Sequence, residues 1–275
     1  MKVTLISHTK DCEKIVASAA KLCYSSKKIK NLQSDLTCEK TKKFINMLSE
    51  LEHESPIEHV SFTFGIEGVS RSLLAQITRH RIASFSVQSQ RYVSEEKLFS
   101  YVIPPEIKNS PEASAEFKKS MVQCKKSYNK LLRILKDVHI KKLTSEERIE
   151  EKKSEIEIQK LAQKYAIEDA RFVLPNAAVT KMICTFNARS LKNFFSRRLC
   201  NRAQWEIRKL AILMLKEVLK IAPNLFSRVG PSCVFSFCKE GSMTCSNASK
   251  VREFFKKLMS DHASQETTEK KLQFF

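Results

Sequence analysis

The chain has 275 residues, of which 42% are hydrophobic and 29% charged, enough apolar content for a substantial core in one large domain or two small ones. No apolar run approaches the roughly 20 residues that a membrane span requires, and the first residues lack the pattern of a signal peptide, so we expect a cytosolic protein. The formal charge of +19 predicts anionic partners such as nucleic acids, nucleotides or phosphorylated metabolites.

Glycine is scarce. The four glycines are Gly65, Gly68, Gly230 and Gly241, and they cannot form a GxGxxG or Walker loop. If the protein binds a phosphate, arginine side chains and helix N-termini must therefore hold it.

The nine cysteines contain no CxxC pair, and we interpret them as reduced thiols. Cys233, Cys238 and Cys245 lie close together in the sequence, but a zinc site there would need a fourth ligand and tighter spacing. His53 and His59 lie among glutamates, yet their spacing does not fit HExxH and a proline separates them. We therefore expect no metal site, with metal binding as the alternative in both places.

The first half of the chain predicts a strand over residues 3–7, a helix ending near residue 24, and a second helix capped by Thr37. The alternation over residues 60–67 predicts a half-buried strand, and Ser70 is expected to cap the helix that follows. The predicted apolar positions are Phe44, Met47, Leu48 and Leu51 on the second helix, Val60, Phe62, Phe64 and Ile66 on the strand, and Leu73, Leu74 and Ile77 on the next helix.

The second half predicts a long helix from Pro111, another helix capped by Thr144 and Glu147 and stopped by Pro175, and a strand over residues 179–187. A helix from about Ser190 and a last long helix ending before Pro223 follow. Helical spacing predicts an apolar seam on two of the helices. On the helix from Pro111 it comprises Phe117, Met121, Cys124, Tyr128, Leu131, Leu135 and Val138, and on the helix ending before Pro223 it comprises Ile207, Leu210, Ala211, Met214, Val218 and Ile221. With no repeat or flexible linker, we predict an α+β fold: a single domain with a central sheet flanked by long helices.

The segment RHRIASFSVQSQRY, residues 79–92, is unusually rich in hydrogen-bond donors. On a helix ending near Arg79, Gln76 would share a face with Arg79 and His80; in an extended chain, Ser89 and Arg91 would project together. The nearest acids, Glu95 and Glu96, lie beyond the segment, so local ion pairs do not explain it. The pattern is typical of a pocket that binds an anion.

A second basic segment runs from Arg171 to Lys209 and contains one acid, Glu206. Asn187, Arg189 and Asn193 alternate there with Phe186, Phe194 and Phe195. We interpret the phenylalanines as core and the polar residues as the rim of a cavity. Arginine outnumbers lysine, which favours bidentate recognition of phosphate; a solvated basic helix face is the alternative.

These segments resemble the flavin-dependent thymidylate synthases. The family motif RHRxxSxxxxSxR is matched at every fixed position from Arg79 to Arg91, HESPIEH resembles H-x-[ST]-P-x-E-H, and residues 170–208 resemble a second conserved block. The resemblance implies reductive methylation of dUMP to dTMP, with methylenetetrahydrofolate as carbon donor and NADPH as reductant through FAD. It also implies a homotetramer with active sites shared between subunits, and places the family's domain at residues 1–230, before an extension over 231–275 of unknown role.

The resemblance also implies roles for individual residues. FAD would be held by His53, Ser55, Arg79, His80, Arg81, Asn187, Arg189 and Asn193. The dUMP ligands would be Gln76, Arg79, Ser89, Gln90, Arg91, Arg171 and Arg198. Arg198 is the implied catalytic residue, since it would favour ionisation of the uracil N3 and so activate C5.

Three further expectations follow. Ser86 and Val87 stand where many members of the family carry Asn-Glu, so we transfer no carboxylate contact to this position. Flavin chemistry removes the need for a protein nucleophile, so Cys184 and Cys200 receive no catalytic role. We also expect Arg79 and Arg81 to disfavour the charged form of His80.

The competing interpretation of the whole chain is a basic nucleic-acid-binding protein without enzymatic activity.

Overall fold

The computed structural model describes residues 1–94, 99–146 and 154–272. One four-stranded sheet with the order β1-β2-β4-β3 is combined with many helices, which confirms the predicted α+β class. The strands are β1 (Lys2–His8), β2 (Ser61–Ser70), β3 (Ala83–Val87) and β4 (Val179–Asn187). The helices are α1 (Cys12–Leu22), α2 (Ile29–Ser34), α3 (Cys38–Glu50), α4 (Arg71–Ile77), α5 (Pro105–Asn109), α6 (Pro111–Glu146), α7 (Glu155–Ala170), α8 (Ala188–Arg198), α9 (Trp205–Leu219) and α10 (Ala248–Leu272).

The chain divides into two compact units, which are described separately. The first unit comprises residues 1–67, 76–86 and 182–275, and the second comprises residues 68–75 and 87–181. Within the described residues, no helix is both long and apolar enough to cross a membrane.

The core of the first unit is built on β2. This strand pairs antiparallel with β1, with Val3 opposite Ile66 and Leu5 opposite Phe64. Phe62, Phe64 and Ile66 are fully buried, as their alternation predicts. The ring of Phe62 meets that of Phe226 edge-on, with 5.3 Å between the ring centroids. Burying a phenylalanine contributes about 2 kcal/mol, so these rings anchor the unit.

Two predicted helix faces in the first unit need correction. Thr37 caps α3 as predicted, accepting a hydrogen bond from the Lys40 amide. The buried face of α3, however, is Thr41, Ile45 and Leu48, whereas Met47 and Leu51 are exposed. The predicted face was rotated because Thr41, a polar residue, was not counted. Ile221, predicted to point inward from α9, lies beyond the end of that helix at Leu219 and is partly exposed.

Helix α10 was not predicted. Within its described side chains it buries chiefly Val251 and Phe255, a single i, i+4 pair. Such a pair is too short to give the repeated apolar spacing by which a helix is recognised in a sequence.

The second unit contains the helix pair α6 and α7. Tyr128 and Leu132 of α6 pack with Ala166, Ile167 and Ala170 of α7, and Leu131 and Leu135 border this cluster. The predicted seam is thus confirmed at its centre, but Leu132 was missed and Val138 is 39% exposed.

The predicted start of α7 is wrong. Thr144 lies inside α6, where its hydroxyl donates to the carbonyl of Ile140, and Glu147 lies outside the described residues. The capping box is formed instead by Ser154 and Glu157, whose side chains each bond the other's backbone N–H. Earlier in the same unit, Ser70 accepts a hydrogen bond from the Leu73 amide, which confirms the predicted cap of α4.

Candidate active site

The first unit contains a cavity of about 1070 Å³. Four stretches of chain border it: the end of α3 with the 3-10 turn Ser55–His59, the RHR segment after α4, helix α8, and residues 228–239. Eight basic side chains and three acidic ones line it: Arg79, Arg81, Arg189, Lys192, Arg197, Arg198, Arg228 and Lys239 against Glu52, Glu54 and Glu58. Such a cavity suits a large anionic ligand.

Helix α8 presents polar residues to the cavity and phenylalanines to the core. Asn187 caps the helix, with its Oδ1 2.8 Å from the amide nitrogen of Ser190. Asn187, Arg189 and Asn193 line the cavity, while Phe194 and Phe195 are fully buried on the opposite side. The predicted division of this segment into core and cavity rim is confirmed.

The RHR segment and the end of α8 meet in this cavity. Arg79, His80 and Arg81 all line it. Nε of Arg198 donates to Nε2 of His80 across 3.1 Å, and the His80 ring rests edge-on against Phe194 with centroids 5.0 Å apart. Two stretches of chain separated by more than a hundred residues therefore converge at this cavity.

Gln76 takes a different position from the predicted one. Helix α4 ends at Ile77, so Gln76, Arg79 and His80 do not share a face of one helix. The backbone carbonyl of Gln76 accepts a hydrogen bond of 3.5 Å from the Arg198 guanidinium, and its side chain does not line the cavity.

The charge state of His80 is set by its surroundings. Burial, followed by the positive charges of Arg198 and Arg197, lowers the pKa of His80 to about 4. The predicted direction is confirmed, but the predicted cause is wrong, because the responsible arginines come from α8 rather than from the RHR segment. Burial and the neighbouring Arg197 and Arg79 also lower the pKa of Arg198.

Arg189 is held by two carboxylates. It donates to Glu54 at 3.0 Å and also to Glu58, and the Glu58 contact is the main cause of the raised pKa of Arg189. The nearly acid-free sequence around Arg189 did not predict this, because both partners come from the HESPIEH segment. These contacts fix the guanidinium at the cavity wall.

The same segment places His53 on the wall. Helix α3 ends at Glu50; beyond it Glu52 adopts the left-handed conformation, φ 54°, and the amide of His53 donates back to the carbonyl of Leu48 at 3.0 Å. This is the hydrogen bond of a Schellman cap, and it turns the chain so that His53 borders the cavity. Ser55 is exposed and lies two residues further on, off the cavity wall.

The other candidate residues, Ser89, Gln90, Arg91 and Arg171, belong to the second unit. Ser89 and Arg91 lie in a turn after β3, not in an extended chain as predicted, and Ser89 Oγ accepts from the Arg91 amide at 3.2 Å. The acids nearest in sequence, Glu95 and Glu96, lie outside the described residues.

Glu168 links two of these arginines. Its carboxylate accepts from the terminal nitrogen of Arg91 at 2.9 Å, and Nε of Arg91 lies 2.7 Å from the second oxygen as an ion pair without hydrogen-bond alignment. The Glu168 backbone carbonyl accepts from Nε of Arg171 at 3.0 Å. The pair raises the pKa of Arg91. Nε2 of Gln90 is buried and has no hydrogen-bond partner among the residues that the structure describes.

The thiol of Cys184 is fully buried in β4, and burial raises its pKa to about 12. A thiol that resists ionisation so strongly is a poor nucleophile. Neither Cys184 nor Cys200 borders the cavity.

Comparison with known proteins identifies the family. A family model described as thymidylate synthase complementing protein matches residues 4–224. A flavin-dependent thymidylate synthase of Clostridium tetani is 51% identical over 255 residues, covering 93% of this chain and 97% of that protein. The chain belongs to the flavin-dependent thymidylate synthase family.

Two further flavin-dependent thymidylate synthases agree with this. The enzyme of Geobacter sulfurreducens is 42% identical over 259 residues, covering 94% of this chain and 99% of that protein. The structure of ThyX from Helicobacter pylori, complexed with FAD and dUMP, has a TM-score of 0.55 at 25% identity and covers 84% of this chain and 100% of that one. The predicted family and enzyme class are confirmed, and the nucleic-acid-binding alternative is set aside.

Some cavity residues were absent from the sequence-based candidates: Lys192, Arg197, Arg228 and Lys239. Lys192 and Arg197 belong to the predicted basic segment, so its charge was the available signal. Arg228 and Lys239 lie outside every motif, and only the fold brings them to the cavity.

Proposed function

We propose that this chain catalyses the reductive methylation of dUMP to dTMP, with FAD bound in the cavity of the first unit. The observation that carries the proposal is the contact of Arg198 with His80, because it joins the RHR motif to the residue implied to activate the substrate. FAD, when bound, supplies the redox chemistry and carries both carbon and hydride.

The residues on the cavity wall fit FAD. Its pyrophosphate needs cationic or amide donors, which Arg79, Arg81 and Arg189 offer in place of a glycine-rich loop. Asn187 and Asn193 provide amide groups, and His53 and the neutral ring of His80 provide flat surfaces. Ser55 stays a candidate from the family motif alone.

Arg198 is the proposed catalytic residue. A guanidinium beside the uracil stabilises the anion formed when N3 loses its proton, and that anion makes C5 a better nucleophile. Partial burial strengthens this effect, because charge interactions are less screened there. The pKa of Arg198 is lowered because burial and the positive charges of Arg197 and Arg79 disfavour its charged form.

We further propose that dUMP is held by Gln76, Arg79, Ser89, Gln90, Arg91, Arg171 and Arg198, in a homotetramer whose active sites take residues from several subunits. The amide of Gln90, which has no hydrogen-bond partner within the described part of the chain, supports a ligand there, since buried polar groups are almost always hydrogen-bonded. Exposed Ile6 on β1 and Ile183 on β4 support burial of the strands against another copy.

The remaining reactants are proposed from the family resemblance: methylenetetrahydrofolate as carbon donor and NADPH as reductant. The cytosol is the proposed location. All the small molecules are anionic, and the basic lining of the cavity supports each of them. The boundary near residue 230 between the family's domain and the extension is likewise a proposal, consistent with a family match that ends at residue 224.

An absorption spectrum and a tritium-release assay test the function together. The purified protein should show flavin bands that bleach with NADPH in the presence of dUMP and release FAD on denaturation. It should then release tritium from 5-tritiated dUMP when methylenetetrahydrofolate is added. A yellow protein that releases no tritium would contradict the methylation, and a colourless protein that FAD does not colour would contradict the flavin site.

A further inference from the structure

The extension over residues 231–275 supplies part of the cavity wall. Phe235 and Lys239 line the cavity, and they follow residues 228–230, which line it as well. Neither Phe235 nor Lys239 belongs to the motifs from which the candidate site was predicted. The extension therefore reaches the same space as the RHR segment and α8.

The turn that carries these two side chains is closed by its own hydrogen bonds. The amides of Phe235 and Ser236 donate to the Ser232 carbonyl at 3.2 and 2.9 Å. The amide of Lys239 donates to Ser232 Oγ at 3.2 Å, which ties the far end of the segment to the same residue. Ser232 thus fixes the backbone at both Phe235 and Lys239.

Helix α10 holds this turn in place. Arg252 donates to the carbonyls of Cys233 at 2.7 Å and Ser236 at 3.2 Å. Where the chain enters the turn, a Cβ added at Gly230 would lie 3.6 Å from the ring of Phe255, which is buried. The wall is therefore ordered before a ligand binds, so that less conformational entropy is lost on binding.

Phe235 and Lys239 together offer the two contacts by which a nucleotide is bound. Phe235 is 48% exposed, and no aromatic ring packs on it within the described part of the chain. Lys239 is exposed, and its ammonium group forms no ion pair with any residue that the structure describes. An aromatic face binds a flat heterocyclic ring by stacking, and an ammonium group binds phosphate. This wall therefore suits a ligand that has both a flat ring and a phosphate.

We propose that Phe235 and Lys239 bind FAD, so that the extension forms part of the flavin site. This inference rests on the proposed function. FAD has two flat ring systems joined through a pyrophosphate, so one ring can stack on Phe235 while a phosphate pairs with Lys239. NADPH offers similar chemistry, but the cavity that this wall borders is also lined by Arg81, Asn187 and Arg189, which are implied to hold FAD.

Equilibrium binding of FAD to flavin-free, full-length protein tests the role of the ring. Phe235→Leu keeps an apolar side chain and removes the aromatic face, so the dissociation constant of FAD should rise about 5- to 150-fold. Phe235→Tyr, which keeps the ring, should bind FAD like the wild type. Phe237→Leu is the matched control, because Phe237 is 74% exposed but lies off the cavity wall. Quenching of flavin fluorescence measures the constant without any turnover.

The salt dependence of the same constant tests the role of the cation. Lys239→Met should weaken FAD binding several-fold at low ionic strength, and the difference from the wild type should shrink as salt screens the charge. Lys256→Met is the control, because Lys256 is an exposed lysine of α10 that lies off the cavity wall. A loss of affinity that is the same at every salt concentration would show that Lys239 does not pair with a phosphate.

The outcomes separate this inference from the proposed function. Wild-type protein that binds no FAD would contradict both. If the wild type binds FAD and either Phe235→Leu or Lys239→Met keeps its full affinity, the flavin site stands and the inference about the extension is wrong. A raised KM for NADPH at unchanged FAD affinity would likewise overturn the inference and assign this wall to the reductant.

Discussion

Arg198 donates its Nε hydrogen to Nε2 of His80 across 3.1 Å. A guanidinium has donors only, so Nε2 must be the acceptor, and the ring carries its proton on Nδ1. This contact couples the charge state of a proposed flavin ligand to the position of the proposed catalytic arginine. Burial and the charges of Arg198 and Arg197 lower the pKa of His80, and protonation would also remove the lone pair that accepts from Arg198.

His80 should stay neutral in the ligand-free protein until the pH falls to about 4. The unfolded chain binds this proton near pH 6.5, so between pH 6.5 and 4 the unfolded state carries more protons than the folded one. Stability should therefore fall as the pH drops through this window, by up to about 1.4 kcal/mol per pH unit from this group. Denaturant unfolding at several pH values measures the slope.

The matched control for this slope is His80→Gln, which removes the titrating group and keeps an acceptor for Arg198. Its stability should depend less on pH over the same window. An NMR titration of wild-type protein that shows His80 charged at neutral pH would contradict the assignment.

Arg198→Ala should lower turnover by about 10²- to 10³-fold, the usual effect of losing one donor to a developing negative charge. FAD should stay bound, because Arg79, Arg81 and Arg189 remain on the cavity wall. The pKa of His80 should also rise, since one of the causes of its depression is removed. Tritium release from 5-tritiated dUMP measures the first effect and the flavin-to-protein ratio the second.

Arg198→Lys is the informative companion, because it keeps the charge and loses the planar fork that reaches both His80 and the Gln76 carbonyl. Turnover between those of Arg198→Ala and wild type is expected. Near-normal turnover of Arg198→Ala would remove this residue from the mechanism.

The sequence predicted those parts of the site whose signal is local. The alternation along β2 translates directly into its buried side, and the asparagine and phenylalanine pattern of α8 translates into a cavity-facing and a buried side. The contacts of Arg189 with Glu58, and of Arg91 with Glu168, were missed, since each joins residues more than 70 positions apart. No period or spacing in a single sequence records which distant acid a given arginine will meet.

Arg81→Ala should give a paler protein with less bound flavin. Arg81 lines the cavity and is exposed in the ligand-free chain, and no hydrogen bond or ion pair is shown for it among the described residues, so its guanidinium is available to an anionic ligand. The loss of one charged hydrogen bond corresponds to about 1.5–3 kcal/mol, or roughly 10- to 150-fold in FAD affinity. The ratio of flavin to protein absorbance measures this.

Arg133→Ala is the control for Arg81, because Arg133 is an exposed arginine of α6 whose hydrogen bond, to the Asn129 carbonyl, lies within its own helix. It should keep full colour. Wild-type flavin content in Arg81→Ala would show that Arg81 does not hold FAD.

Glu168→Gln should raise the KM for dUMP several-fold with a smaller change in kcat. The Glu168 carboxylate orients Arg91, and its backbone carbonyl, which the substitution preserves, holds Arg171. The ion pair is partly exposed, so its loss should change stability little, and the main effect is a less ordered Arg91. A reoriented guanidinium binds phosphate less well because the bidentate geometry must be restored at each binding event. Steady-state kinetics with varied dUMP measures this, and Glu168→Asp is the charge-preserving control. A lower KM in Glu168→Gln would mean that the carboxylate competes with the substrate phosphate for Arg91 instead of positioning Arg91.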